Sequence, residues 1–146
     1  MTPRRKIPLR VRQTVHLRAQ GRCEYCRCPE AFSLDAFTVD HVQPRAESGT
    51  DDPDNLALAC HNCNNRKHDD RSARDPESGD DVPLYHPRHD RWRDHFAWSE
   101  DALTIVALTA IGRATIACLQ LNRPGAVNVR RALVILGEDH PPKADE

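Results

Sequence analysis

Apolar residues in this chain come in short runs, each with the period of a different element. Val11 and Val15 stand one helical turn apart, Pro8 suits a first turn and Gly21 a left-handed C-terminal cap, so the pattern predicts a helix over 8–20. Phe37-Thr38-Val39-Asp40-His41-Val42 is short and β-branched, which predicts a strand, and Pro44 ends it. Residues 45–55 contain Gly49 and the run Asp51-Asp52-Pro53-Asp54, the composition of a loop. Leu56-Ala57-Leu58-Ala59 then returns as a second strand. Residues 60–68 lack Gly and Pro and can form a helix, although too few are apolar for periodicity to show it. The order is strand, loop, strand, helix.

From Asp69 to Asp81 there are six acidic residues against two arginines, with Pro76 and Gly79 among them. Such a segment repels itself and buries little, so 69–83 is expected to be a flexible acidic loop and an internal boundary. Order is expected to resume beyond it. His95-Phe96-Ala97-Trp98 and Leu103-Thr104-Ile105-Val106 flank Ser99-Glu100-Asp101-Ala102 as the arms of a hairpin. Two helices are expected, over 111–121 and 125–136. Asn122 or Pro124 can open the second, and Val129, Leu133 and Leu136 share one face of it. Trp92, Phe96 and Trp98 are spaced for packing against the preceding part of the chain.

Composition adds a constraint. With 146 residues, 38% of them apolar and seven aromatic, the core is modest, and such chains often need a staple. The Arg-rich start lacks the apolar stretch of a secretory leader, and no apolar run nears the roughly 18–20 residues that span a bilayer. The expectation is a cytoplasmic protein with no membrane partner, whose six cysteines serve a metal rather than disulfides. Net charge is −1, so the whole molecule is not drawn strongly to nucleic acid. Yet Arg4, Arg5, Lys6, Arg10, Arg12, Arg18 and Arg22 all precede the first acidic residue, Glu24. Such an arm can neutralise phosphates by releasing counterions, or it can be a solvated tail and an exposed helix face.

Cys23-x2-Cys26 and Cys60-x2-Cys63 offer four thiolates, the donor set of tetrahedral zinc. The 33 residues between the pairs exceed the spacer of a simple ribbon, so the zinc would close a long loop around the inserted strands. In so small a core the metal would supply folding energy on the order of 10 kcal/mol. Cys28 in place of Cys26, or His61 in place of Cys60, is the alternative ligand choice. Cys28 and Cys118 are otherwise ordinary small apolar residues.

Taken together, Cys23-Glu24-Tyr25-Cys26, Val39-Asp40-His41-Val42 with Pro44, Gly49, Asp54-Asn55-Leu56 and Cys60-x2-Cys63-Asn64-x2-Lys67 resemble the signature of the HNH endonucleases, over residues 21–68. The resemblance implies a ββα-metal fold and hydrolysis of DNA phosphodiester bonds. It makes His41 the general base, a role suited to an imidazole that titrates near neutrality. Asp40 becomes a ligand for a hard divalent cation. The family's final histidine is Asn64 here, and an amide oxygen suits Mg²⁺ or Mn²⁺ better than zinc or nickel. Asn55, the middle letter, would tie down the loop and so orient His41; outside the motif it is a turn asparagine. Lys67, Arg66 and Arg45 are expected on phosphates. Asp40 and His41 adjoin on a strand and would face opposite ways. The resemblance therefore implies a twist or bulge that brings both to one phosphate. His61 and His68 match no family position and are read as surface residues.

His86-Pro87-Arg88, Trp92, His95-Phe96-x-Trp98 and Leu108-Thr109-x-Ile111-Gly112-Arg113-Ala114-Thr115 resemble the extension of a group of stand-alone bacterial HNH proteins. His86, His89 and His95 have spacings that fit no strong metal template. The expected fold class is α+β: a small zinc-stapled ββα-metal finger with an N-terminal helix and a C-terminal hairpin-plus-helices extension. Its parts are a basic arm and helix (1–22), the finger (23–68), the acidic loop (69–83), an α/β extension packed on the finger (84–137) and a tail (138–146). The expected cofactors are structural zinc and catalytic Mg²⁺ or Mn²⁺. The expected partner is DNA, with the protein a monomer or homodimer. The competing reading is a non-catalytic zinc-containing nucleic-acid-binding module, which needs the knuckles and the arm but not Asp40, His41 and Asn64 at these spacings.

Overall fold

A computed structural model describes residues 6–143, so Arg4 and Arg5 of the arm and the last three residues of the tail lie outside it. Helix α1 (Leu9–Arg18) starts behind Pro8. It ends in two successive left-handed residues, Gln20 (φ +55°) and Gly21 (φ +69°), and the Gly21 N–H donates to His16 O at 3.2 Å. That turn delivers the chain to Cys23. Val15 is fully buried, with Val11 packed beside it.

Strand β1 (Thr38–His41) pairs antiparallel with β2 (Leu56–Ala59), from Thr38↔Ala59 to His41↔Leu56, and the Val42 N–H extends the ladder to Asn55 O at 2.9 Å. All four residues of β2 are buried because its second edge is also taken. The Glu24 N–H donates to Leu58 O at 2.8 Å, and the Leu58 N–H donates to Glu24 Oε2 at 2.7 Å. Arg88, from the C-terminal part, pairs with the other oxygen of the buried Glu24. Arg18 of α1 donates to Leu56 O at 2.7 Å and Pro53 O at 3.0 Å. Helix α2 (His61–Lys67) follows, with Cys60 as its N-cap and Cys63 and Lys67, one turn apart, as its buried residues. The expected strand–loop–strand–helix order is present.

The acidic segment differs from its expectation. It carries a hairpin, β3 (Ser72–Arg74) with β4 (Asp81–Pro83). The reason is one buried acid. Asp75 is fully buried and takes the Arg113 guanidinium as a fork, Nε to Oδ1 and Nη2 to Oδ2, both at 2.9 Å. Ser78 Oγ adds a bond to Oδ2 at 2.8 Å. A charge that looked repulsive is paired with a cation 38 residues away, beyond any local reading.

The C-terminal part contains α3 (Trp92–His95), a β5 (Phe96–Trp98)–β6 (Ile105–Ala107) hairpin, α4 (Ala110–Leu119) and α5 (Pro124–Leu136). Thr109 caps α4 by accepting from the Gly112 N–H at 3.1 Å. The expected buried face of α5 needs one correction: Leu136 is 63% exposed. Ala126, Arg130 and Leu133 are the buried residues instead. Arg130 is fully buried and donates to Cys26 O (3.0 Å), Leu121 O (2.7 Å), Leu103 O (3.1 Å) and Asn122 Oδ1 (3.1 Å). It ties the first knuckle to the hairpin and to the turn before α5. The aromatic cluster completes the contact, with Trp92 ring centroids 5.2 Å from Phe96 and 5.5 Å from Trp98, and Arg27 of the finger 5.3 Å over Trp92.

Two predictions follow from these buried charges. Arg130→Met removes four hydrogen bonds and leaves buried carbonyls without donors, so denaturant unfolding should show a loss of about 3 kcal/mol or more. An unchanged midpoint contradicts its role. The Arg113 fork holds the Asp75 carboxyl well below the usual carboxylate range, against the opposing effect of burial. A depressed folded pKa stabilises above the unfolded value, about 4, and that stability is lost as pH falls towards the folded value. The wild-type melting temperature should drop more steeply from about pH 4 to pH 2 than that of Asp75→Asn. Parallel curves contradict this.

Candidate active site and metal centre

The sulfurs of Cys23, Cys26, Cys60 and Cys63 all lie within 4.8 Å of one another, and all four residues are buried. Cys26 Sγ and Cys60 Sγ are 3.8 Å apart. Four sulfurs placed tetrahedrally at about 2.3 Å from one zinc would be separated by about 3.8 Å, so donor type and spacing both fit that ion. Each knuckle folds locally. The Cys26 N–H reaches Cys23 Sγ at 3.5 Å, and the Cys63 N–H reaches Cys60 Sγ at 3.4 Å, where it also caps α2. The alternative ligands do not join. Cys28 is buried outside the tetrad, its carbonyl accepting from the Cys23 N–H at 3.0 Å, and His61 is exposed at the start of α2. Among the described residues the four cysteines are the one convergent group of three or more His, Cys, Asp or Glu side chains. His86 and His89 stack at 3.8 Å, while His95 Nδ1 bonds Thr109 Oγ1 at 2.7 Å.

Beside this centre β1, α2, the loop after β1 and the start of the chain enclose an open cleft of about 780 Å³. Asp40, His41 and Asn64 all line it, as do Arg45 and, from the arm, Lys6 and Arg12. The basic arm is thus divided, because Arg18 is spent on the backbone of 53–56 and Arg22 donates to Arg27 O at 3.0 Å. His61 and His68 are exposed, as a surface reading requires, yet both line the cleft. Arg66 is exposed on α2 and outside the cleft lining.

Asp40 is 5% exposed. Tyr25 Oη donates to its Oδ2 at 2.9 Å, and Lys67 Nζ lies 3.3 Å from the same oxygen. Both contacts fall on Oδ2 of a residue that lines the cleft. Burial pushes the Asp40 carboxyl above its ordinary range, and Lys67 and Tyr25 pull it back. Lys67 itself is 1% exposed and donates to Val42 O at 3.5 Å. The expected phosphate contact by Lys67 is therefore corrected: its ammonium is turned inward onto Asp40, because a buried carboxylate needs a counter-charge.

His41 Nε2 lies 2.7 Å from Asp51 Oδ1, and Arg45 donates to the same oxygen through Nη2 at 2.9 Å and Nε at 3.2 Å. The His41 and Arg45 bonds hold the Asp51 carboxyl below its usual range. The expected bulge in β1 is absent, since Asp40↔Ala57 and His41↔Leu56 pair in unbroken register. The two side chains find different partners, Tyr25 and Lys67 for one and Asp51 for the other, while lining one cleft.

Residues 23–70 match the family model described as HNH endonuclease. That stretch, about a third of the chain, is similar to the HNH family. No curated protein and no solved structure matches the chain. No helix among the described residues is long and apolar enough to cross a membrane.

Within the HNH-like segment Asn55 acts on the backbone. Its Oδ1 accepts from the Gln43 N–H at 2.8 Å, and its Nδ2 donates to Gln43 O (3.0 Å) and Thr50 O (2.8 Å). It joins both ends of the loop that carries Asp51. Gly49 permits the fold of that loop, because a Cβ there would lie 1.8 Å from Gln43 O. Sequence reasoning missed two residues of the site. Tyr25 stands between the knuckle cysteines with no role that the sequence suggests, and Asp51 is one of three aspartates in the Asp51–Asp54 run. Asn55→Ala should cost about 1–3 kcal/mol of stability. It should also speed hydrogen exchange at the Gln43 amide while β2 amides stay protected. Unchanged exchange at Gln43 contradicts the tie.

Proposed function

We propose that the chain is a metal-dependent DNA endonuclease in which His41 is the general base. The observation that carries this reading is the shared cleft of Asp40, His41 and Asn64, flanked by Lys6, Arg12 and Arg45. Cys23, Cys26, Cys60 and Cys63 would hold a structural zinc that fixes β1 against α2. Asp40 Oδ1 and the Asn64 amide oxygen would hold Mg²⁺ or Mn²⁺, which supplies positive charge for the phosphorane and the departing 3′ oxygen.

The side chains divide the remaining work. The His41 Nε2–H donates to Asp51, which leaves Nδ1 with the lone pair that takes the proton from an attacking water. Oxygen bonds to phosphorus, the P–O3′ bond breaks, and the departing oxygen takes a proton from solvent water. Asp51 holds the imidazole in one tautomer and offsets the charge it gains. Asn55 holds the loop that carries Asp51, and Tyr25 and Lys67 hold Asp40. Lys6, Arg12 and Arg45 meet backbone phosphates, and Arg66 extends that contact on α2. Four thiolates committed to a metal suit a reducing compartment, so the protein is assigned to the cytoplasm.

Purified protein should relax supercoiled plasmid with Mg²⁺ or Mn²⁺, and His41→Ala should slow this by roughly 10²–10⁴-fold. Equal cutting by both proteins contradicts the role of His41. A zinc-loaded wild type that binds plasmid without cutting it makes the domain a non-catalytic binding module.

A further inference from the structure

The turn before α5 places a cation on the sulfur cluster. Arg123 Nη2 lies 3.4 Å from Cys60 Sγ and 3.9 Å from Cys26 Sγ, and Nη1 lies 3.7 Å from Cys63 Sγ. One guanidinium thus addresses three of the four sulfurs. Its position is built, not incidental. Gln120 is left-handed (φ +49°), its carbonyl accepts from the Arg123 N–H at 3.1 Å and from Nη1 at 3.3 Å, and Pro124 opens α5 behind it. About two turns further along, the buried Arg130 donates to Cys26 O and anchors α5 to the same knuckle.

The chemistry asks for such a group. Four thiolates around a divalent ion leave net negative charge in a buried place, and buried charge without a partner is costly. The knuckle N–H groups reach the Cys23 and Cys60 sulfurs, and Arg123 brings N–H donors to Cys26 and Cys63. We propose that Arg123 is an outer-sphere partner of the zinc centre, a cation from outside the HNH-like segment that offsets the tetrathiolate charge and retains the metal. This rests on the reading of the four cysteines as zinc ligands. It gives the C-terminal part a function in the centre: the segment's staple is completed by a residue more than fifty positions beyond it.

The test is zinc release from full-length protein into excess chelator, followed with a colorimetric zinc dye. The variants are Arg123→Met, Arg123→Lys and Arg123→Gln, with Arg131→Met as control, an exposed α5 arginine whose Nη1 bonds Asn128. Arg123→Met should release zinc at least about tenfold faster than wild type, the scale of losing an outer-sphere partner. Arg123→Lys should fall between, and Arg131→Met should match wild type. Release from Arg123→Met at the wild-type rate overturns the proposal. So does equal release from the Lys and Gln variants, a comparison that stands if the Met variant fails to fold. A wild type that holds no zinc removes the metal reading and this proposal together. A wild type holding one zinc, with all variants alike, removes this proposal alone.

Discussion

Four buried sulfurs drawn from two distant turns, all within 4.8 Å of one another, are the constraint on which the other contacts depend. Gathered there as thiolates, they would need a cation to hold them. Once gathered, they fix the start of α2 against the knuckle that edges β2, and β2 in turn fixes β1. A short two-stranded pair has little stability of its own. Here it is clamped on one edge by Glu24 and closed at its loop end by Asn55.

That clamp explains how a buried acid and a nearby imidazole can be held without a long sheet behind them. Asp40 is surrounded by Tyr25 and Lys67, one from between the cysteines of a knuckle and one from the last turn of α2. The pair costs desolvation, and it need not add stability over an apolar alternative. What it provides is orientation: one carboxylate oxygen is held by two partners on a residue that lines the cleft. His41 is oriented separately, through Asp51 and Arg45, on the loop that Gly49 allows to fold back.

The elements legible in the sequence are those whose cause is local. Pro8 and Gly21 bracket α1, β-branching and Pro44 mark β1, and Cys-x2-Cys spacing marks both knuckles. The domain motif read from Asp40, His41, Asn55 and Asn64 agrees with the family match over 23–70. What escaped the sequence is set by partners far along the chain. Asp75 looks like one more repulsive charge until Arg113 is placed on it, and Lys67 looks like a surface cation until Asp40 is found beneath it. Arg130 occupies the buried face where an apolar pattern points to Leu136, because four carbonyl and amide acceptors converge there. The bulge inferred for β1 is unnecessary because the consecutive residues 37–41 all line the cleft, so neighbours with different partners can share it.

X-ray absorption at the zinc edge on the full-length protein examines the sulfur clamp most directly. One zinc per chain is expected, with a shell of four sulfurs at about 2.3 Å and no nitrogen or oxygen in it. A shell containing imidazole nitrogen, fewer than four sulfurs, or no bound metal at all contradicts it.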